Sequence, residues 1–308
     1  MAVFSDRLID KALTNNSRVI VGLDPTIERF PAYLKAQLKK EPTDEKLEDL
    51  LFEFNRAVIE ATEKIAVAYK PQAAFYEQYG LAGIKALQRT ITFMRVKGLL
   101  TIIDAKRNDI AHTAGAYAKA WIGASHPIFN TPNLWQSDAI TINGYLGRDG
   151  IDPFLATNPN AGLFVLAKTS NPSSGELQDL ALATGETVAE KMAALAQQWG
   201  EASIGKHGFS TIGIVVGATY PEFSTKLRNI APNAPFLMPG IGAQGGSLDA
   251  IAAAAGKDGL GAYASSSRGV MYPFKADELV GSDWYVLAKE QIGEAAEELR
   301  EAIQKKLN

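Results

Sequence analysis

Cysteine is absent from the 308 residues, which excludes thiol catalysis, disulfides and thiolate metal sites. Histidine is scarce: His112, His126 and His207 stand singly, each reading as a satisfied or exposed side chain rather than a metal ligand. No excess of positive charge signals a polyanionic partner, since 31 basic and 34 acidic residues leave a net charge of −3. No run of like charge forms a tail, and nucleic acid is not an expected partner. Charges interrupt every apolar stretch short of the roughly 20 residues of a membrane span. The opening MAVFSDRLIDKAL has neither a basic n-region nor an apolar core. No membrane partner is expected, and the cytoplasm is the expected location. With no repeat, low-complexity tract or linker, residues 1–308 read as one domain.

What is present is an alternation. The chain has the 46% hydrophobic and 21% charged residues of an ordinary globular protein. Short β-rich runs recur between helical patterns: RVIVGLD (18–24), IAVAYK (65–70), LLTIID (99–104), DAITIN (138–143), GLFVLAK (162–168), STIGIVVG (210–217), APFLMPG (234–240) and GAYASSS (261–267). Such alternation predicts parallel strands joined by crossover helices. Eight units in a chain of this length predict an α/β fold of the (β/α)₈ TIM-barrel kind rather than an open doubly wound sheet. Ser5 and Asp6 are expected to cap a first amphipathic helix. The long segment 25–64 between the first two strands, and a C-terminal helix over 285–306, are expected as decoration on the barrel.

The active site of such a barrel is built at the C-terminal ends of its strands. Those ends are rich in charge: Asp24, Lys70, Asp104 with Lys106, Asn143, then Lys168, Thr169 and Ser170, and finally Arg268. Asp104 and Lys106 are i and i+2, so on an extended strand they share a face. Asp109 lies beyond the strand end, before a helix expected to begin near Ile110, and need not point into the same site. A solvated loop whose charges pair with one another is the plain alternative for DAKRND. Lys70 on the neighbouring strand weighs against it, because an alternating Lys, Asp, Lys array is costly to desolvate without a task. The turn LMPGIGAQGGS (237–247) has glycines that let backbone N–H groups approach an anion, with a helix starting near Ser247. Its place after the seventh strand, with Arg268 after the eighth, fits a phosphate site better than a plain turn.

Taken together, VGLDP, AYKPQAAFYEQYG, IIDAKRNDI, KTSNPSS, PGIGAQGG and SSSRG resemble the orotidine 5′-phosphate decarboxylase family, and the long segment between the first two strands resembles its larger bacterial branch. The resemblance implies decarboxylation of orotidine 5′-phosphate to uridine 5′-phosphate and CO2, the last step of UMP synthesis, with no metal and no organic cofactor. It implies Lys106 as the proton donor, Asp104 beside the leaving carboxylate, and Lys70 and Asp109 completing a chain of alternating charge. Asp24 and Thr113 would meet the ribose and Ser170 the pyrimidine. Gln244 and Arg268, with Gly242 and Gly245 in the turn, would grip the phosphate. It further implies a homodimer, with Asp109 and Thr113 reaching across to the partner's site. Two rivals stand beside this reading. One is a Mg²⁺-dependent decarboxylase or aldolase of a related branch, in which Asp24 and Asp104 would be metal ligands; the other is a non-enzymatic phosphosugar-binding barrel.

Overall fold

The computed structural model describes residues 2–124, 135–219, 221–241, 246–256 and 258–307. Eight parallel strands form its sheet: β1 (Val19–Leu23), β2 (Ala68–Pro71), β3 (Ile102–Arg107), β4 (Ala139–Ile142), β5 (Gly162–Lys168), β6 (Ile212–Val216), β7 (Phe236–Pro239) and β8 (Ala262–Ser266). Their order is β2-β1-β8-β7-β6-β5-β4-β3. Parallel bridges between Tyr69 and Thr101 and between Gln72 and Asp104 bring the two end strands together and close the ring. All eight runs read from the sequence are strands. Most are shorter than expected by a residue or two at the ends, whereas β3 continues past Asp104 to Arg107. Strands buried on both faces read as continuous apolar runs, which is why β1 and β6 are buried throughout.

The helices are α1 (Phe4–Thr14), α2 (Ala32–Lys40), α3 (Asp44–Thr62), α4 (Ala74–Glu77), α5 (Gly80–Val96), α6 (Ala111–Ile122), α7 (Asp152–Thr157), α8 (Gly175–Gln178), α9 (Val188–Gly200), α10 (Pro221–Ile230), α11 (Leu248–Ala254), α12 (Arg268–Met271) and α13 (Trp284–Leu307). Two segments expected as decoration are integral. The helix α3 is the crossover from β1 to β2 and packs on α5 and α13, while α13 lies between α11 and α3 and completes the helical ring. Thr43 caps α3 by accepting from the Lys46 N–H. None of the helices among the described residues is long and apolar enough to cross a membrane.

Ser5 and Asp6 do not cap α1, which starts at Phe4 with Val3 in the cap position. Both are drawn inward to tie the helix to the approach to β6: Ser5 Oγ donates to the Phe209 carbonyl, and Asp6 accepts from the backbone N–H groups of Lys206 and His207. This helix stoppers the barrel. Phe4, Leu8, Ile9 and Ala12 pack with Ile20, Val67, Leu100, Ile102, Phe164 and Tyr263 in an inner core separate from the larger one between strands and helices. Phe4 meets Phe164 edge-on at 6.0 Å. Gly162 leaves room for it, since a Cβ there would lie 2.3 Å from the Phe4 ring. Phe4→Ala is expected to cost about 3–5 kcal/mol of folding free energy, the range for emptying a packed aromatic site. Urea unfolding measures it, and a loss below about 1 kcal/mol would mean that α1 does not hold the inner core.

Candidate active site

The charged centre is built where β2, β3 and β4 end side by side. Lys70 Nζ donates to Asp104 Oδ2 at 2.9 Å, and Lys106 Nζ donates to Asp104 Oδ1 at 2.6 Å. Thr141 Oγ1, from β4, donates to the same Asp104 Oδ1 at 2.8 Å and accepts from the Lys106 backbone N–H at 3.0 Å. Lys70 and Asp104 are buried, whereas the Lys106 side chain keeps 44% of its surface and reaches into the cleft. Lys106 does not reach Asp104 through plain strand alternation. Its φ is +48°, and the β3–β4 register shifts between Ile103 and Arg107, so the strand end bends through a left-handed residue onto Thr141. A lysine in that conformation is strained by on the order of 1–3 kcal/mol, a kind of outlier that clusters at functional sites.

Charge states follow from these neighbours. Burial disfavours ionised Asp104, but the ammonium groups of Lys70 and Lys106 outweigh it and hold the carboxyl well below the usual carboxylate range. Burial likewise disfavours charged Lys70, yet Asp104 and Asp24 prevail and its ammonium is held above its ordinary value. Asp24, at the end of β1, behaves in the opposite way. Burial raises its pKa, and Lys70 and a hydrogen bond from Ser267 only partly offset this. Its Oδ1 is buried with no hydrogen-bond partner among the described residues.

Around this centre lies a cleft of about 830 Å³ whose lining includes Gln72, Thr169, Ser170, Asn171, Gly240, Ile241 and Arg268. Arg268 opens α12 and is exposed, and Ser170 follows the end of β5. Gln244, Gly242 and Gly245 lie outside the described residues. Their flanks are drawn close: Ile241 bridges Gly246, and the Gly246 N–H donates to the Gly240 carbonyl at 3.0 Å. Gly240 has φ +100°. Asp109 and Thr113 do not line the cleft of their own chain. Asp109 Oδ1 accepts from the Ile110 N–H, and Thr113 is exposed on α6, which starts at Ala111 with Ile110 in the cap position, near where it was expected.

The family model described as orotidine 5′-phosphate decarboxylase / HUMPS family matches residues 17–272. The chain belongs to this family. A protein named orotidine 5′-phosphate decarboxylase from Caldicellulosiruptor bescii is 42% identical over 283 residues, 89% of this chain and 91% of its own. A second of that name, from Clostridium perfringens, is 36% identical over 305 residues, covering 98% of this chain and all of its own. The solved Leishmania donovani OMP decarboxylase superposes with a TM-score of 0.71 at 32% identity, covering 99% of this chain and 98% of its own.

In this decarboxylase-family barrel two strand-end residues fall outside the cleft. Asn143 lies beyond the end of β4, and its Oδ1 accepts from the Tyr145 N–H to start a 3₁₀ turn. Lys168 does not line the cleft and is buried against Asp179. The residue that sequence reasoning missed is Thr141, two before Asn143, and the only signal was a hydroxyl inside an apolar strand. Asp104→Asn is expected to cost about 3–5 kcal/mol at pH 7, because it removes the carboxylate that accepts from the buried Lys70 ammonium. Asp104 has a folded pKa below its unfolded value near 3.9. Its stabilisation is therefore complete above about pH 5 and is lost as pH falls through the folded value. Denaturant unfolding of native protein and variant at pH 7 and pH 3 checks this: the gap should narrow at pH 3, and an unchanged gap refutes the coupling.

Proposed function

We propose that this cleft decarboxylates orotidine 5′-phosphate to uridine 5′-phosphate and CO2 without a metal or organic cofactor, with Lys106 as the proton donor. That the chain is an enzyme of the decarboxylase class follows from its family and from relatives of that name, one of them 42% identical. The observation that carries the mechanistic reading is the Lys70, Asp104, Lys106 array itself.

Breaking the bond between C6 and the carboxylate leaves the electron pair on C6, as a vinyl-type carbanion with no adjacent π system to absorb it. The protein must therefore supply electrostatic stabilisation and a proton. The Lys106 ammonium is the exposed end of the array. It stabilises the developing charge and transfers a proton to C6 as CO2 leaves, and solvent then reprotonates the amine. Asp104, kept ionised by its two ammonium partners, stands near the leaving carboxylate and disfavours the charged ground state. Thr141 and Lys70 hold Asp104 in place. Asp24 has one bare oxygen, which suits a ribose hydroxyl as donor. Ser170 meets the pyrimidine edge, and Arg268, with Gln244 and the turn glycines Gly242 and Gly245, grips the phosphate. The Mg²⁺ reading is weakened by the occupation of both Asp104 oxygens by Lys70, Lys106 and Thr141, which leaves little of that carboxylate for a divalent ion. A phosphosugar-binding barrel would give the array no use.

The test follows loss of the pyrimidine chromophore when purified protein meets orotidine 5′-phosphate in excess EDTA. Full activity is expected, and a requirement for added Mg²⁺ moves the chain to the rival branch. Lys106→Ala should abolish turnover while uridine 5′-phosphate still binds. A near-native rate in this variant would mean that another group protonates C6.

Asp109 and Thr113 belong to the proposal as residues acting across a homodimer. What supports this is their position: both stand outside their own cleft at the start of α6, whose His112, Thr113 and Ala116 are exposed. Lys106→Ala and Asp109→Ala proteins should each be nearly inactive, and mixing them under subunit exchange should restore activity through dimers holding one intact site. Proven exchange without recovery refutes action in trans.

A further inference from the structure

Lys168 ends β5, yet it does not line the cleft, and the proposed chemistry makes no use of it. Its side chain is 3% exposed, and its ammonium lies 2.6 Å from Asp179 Oδ1 and 5.2 Å from the centre of the Phe223 ring. Asp179 caps the end of α8, eleven residues further on. Beside this ion pair runs a second cross-link. The Thr169 N–H donates to Gln178 Oε1 at 2.9 Å, and Gln178 Nε2 donates to Thr169 Oγ1 at 2.8 Å. The loop after β5 is thus stitched at its neck by adjacent pairs, 168 to 179 and 169 to 178.

The neck is seated from a third side. Just past β6 the Gly217 N–H donates to the Lys168 carbonyl at 2.7 Å, and a Cβ on Gly217 would lie 2.9 Å from the N, Cα and Cβ of Ser170. Only a hydrogen fits there. Ser170 therefore emerges into the cleft at a height fixed by the stitched loop on one side and bare backbone on the other. Removing the Asp179 carboxylate would take away the anion that accepts from the buried Lys168 ammonium and loosen one of the two cross-links at the neck.

We propose that Asp179, acting through Lys168, and Gly217 are positioning residues for base recognition: they set Ser170 against the pyrimidine. The proposal rests on the reading of Ser170 as the residue that meets the base. Two ligands separate base from phosphate recognition, uridine 5′-phosphate and ribose 5-phosphate, which lacks the base. Inhibition constants for both, with kcat and KM for orotidine 5′-phosphate, are measured in native protein, Ser170→Ala, Asp179→Asn, Asp179→Glu, Gly217→Ala and the Ser170→Ala/Asp179→Asn double variant. Asp179→Asn and Gly217→Ala should each weaken uridine 5′-phosphate about tenfold, the order of one well-placed hydrogen bond. Ribose 5-phosphate should change less than twofold. Asp179→Glu, which keeps the charge, should retain most of the affinity. The double variant should lose no more than Ser170→Ala alone, because the clamp acts only through that serine. Equal weakening of both ligands, or losses that multiply in the double variant, makes the clamp merely structural and overturns the proposal. Unchanged uridine 5′-phosphate affinity in both Asp179→Asn and Gly217→Ala overturns it as well. If Ser170→Ala itself leaves that affinity intact, the reading of Ser170 fails first and the proposal falls with it.

Discussion

A carboxylate buried between two ammonium groups survives only where backbone fixes all three. The buried ions, Asp104 and Lys70, each lose several kcal/mol of hydration, and the attraction repays this only at hydrogen-bond distance with the remaining lone pairs satisfied. The closure of the barrel meets that condition. The bridge between Gln72 and Asp104 joins β2 to β3 at the level of the site, which sets Lys70 2.9 Å from Asp104. Thr141 takes up the remaining geometry from β4. The array is thus a product of eight-strand closure, because an open sheet would leave β2 and β3 at opposite edges.

The same closure explains the position of α1. A ring of eight strands has an interior to fill, and side chains of Phe4, Leu8 and Ile9 fill its lower end. Higher in the same inner core Val215 and Leu237, with Leu166 packed against them, also line the cleft. The floor under the charged centre is therefore apolar and continuous with packed core. A low-dielectric floor strengthens each electrostatic contact made above it.

How much of this was legible depends on whether the signal was local. The eight strands were, because β-branched runs bounded by turns persist in a parallel sheet. So were Asp24, Lys70, Asp104, Lys106, Ser170 and Arg268, since barrel topology sends the ends of strands to one mouth and all six line the cleft. Asn143 and Lys168 carried the same strand-end signal and failed. Asn143 serves as a backbone cap through its Oδ1, and Lys168 is taken up by Asp179 at the end of α8. Thr141 gave little signal and Gly217 none, because each meets a neighbour far off in sequence: Thr141 the bend at Lys106, Gly217 the backbone of Ser170. The crossover role of α3 was hidden by the extra helix α2 before it, and the ring-completing role of α13 by its place after the last strand.

Asp24 and Asp104 share one cleft and one lysine, yet their environments push them apart. Asp104 accepts from Lys70, Lys106 and Thr141 and stays ionised far below neutral pH. Asp24 is buried more than it is compensated, so its pKa rises and one oxygen is left without a donor. Such divergence between neighbouring carboxyls usually marks different tasks. On the proposed reading, the fully satisfied carboxylate is the electrostatic element, because it gains nothing from a substrate hydrogen bond and can only repel a second anion. The unsatisfied one is the binding element, because a ribose hydroxyl supplies what the fold withholds. Asp24 would then become more acidic as it accepts from the ribose hydroxyl, whereas the substrate carboxylate set beside Asp104 would make Asp104 less acidic.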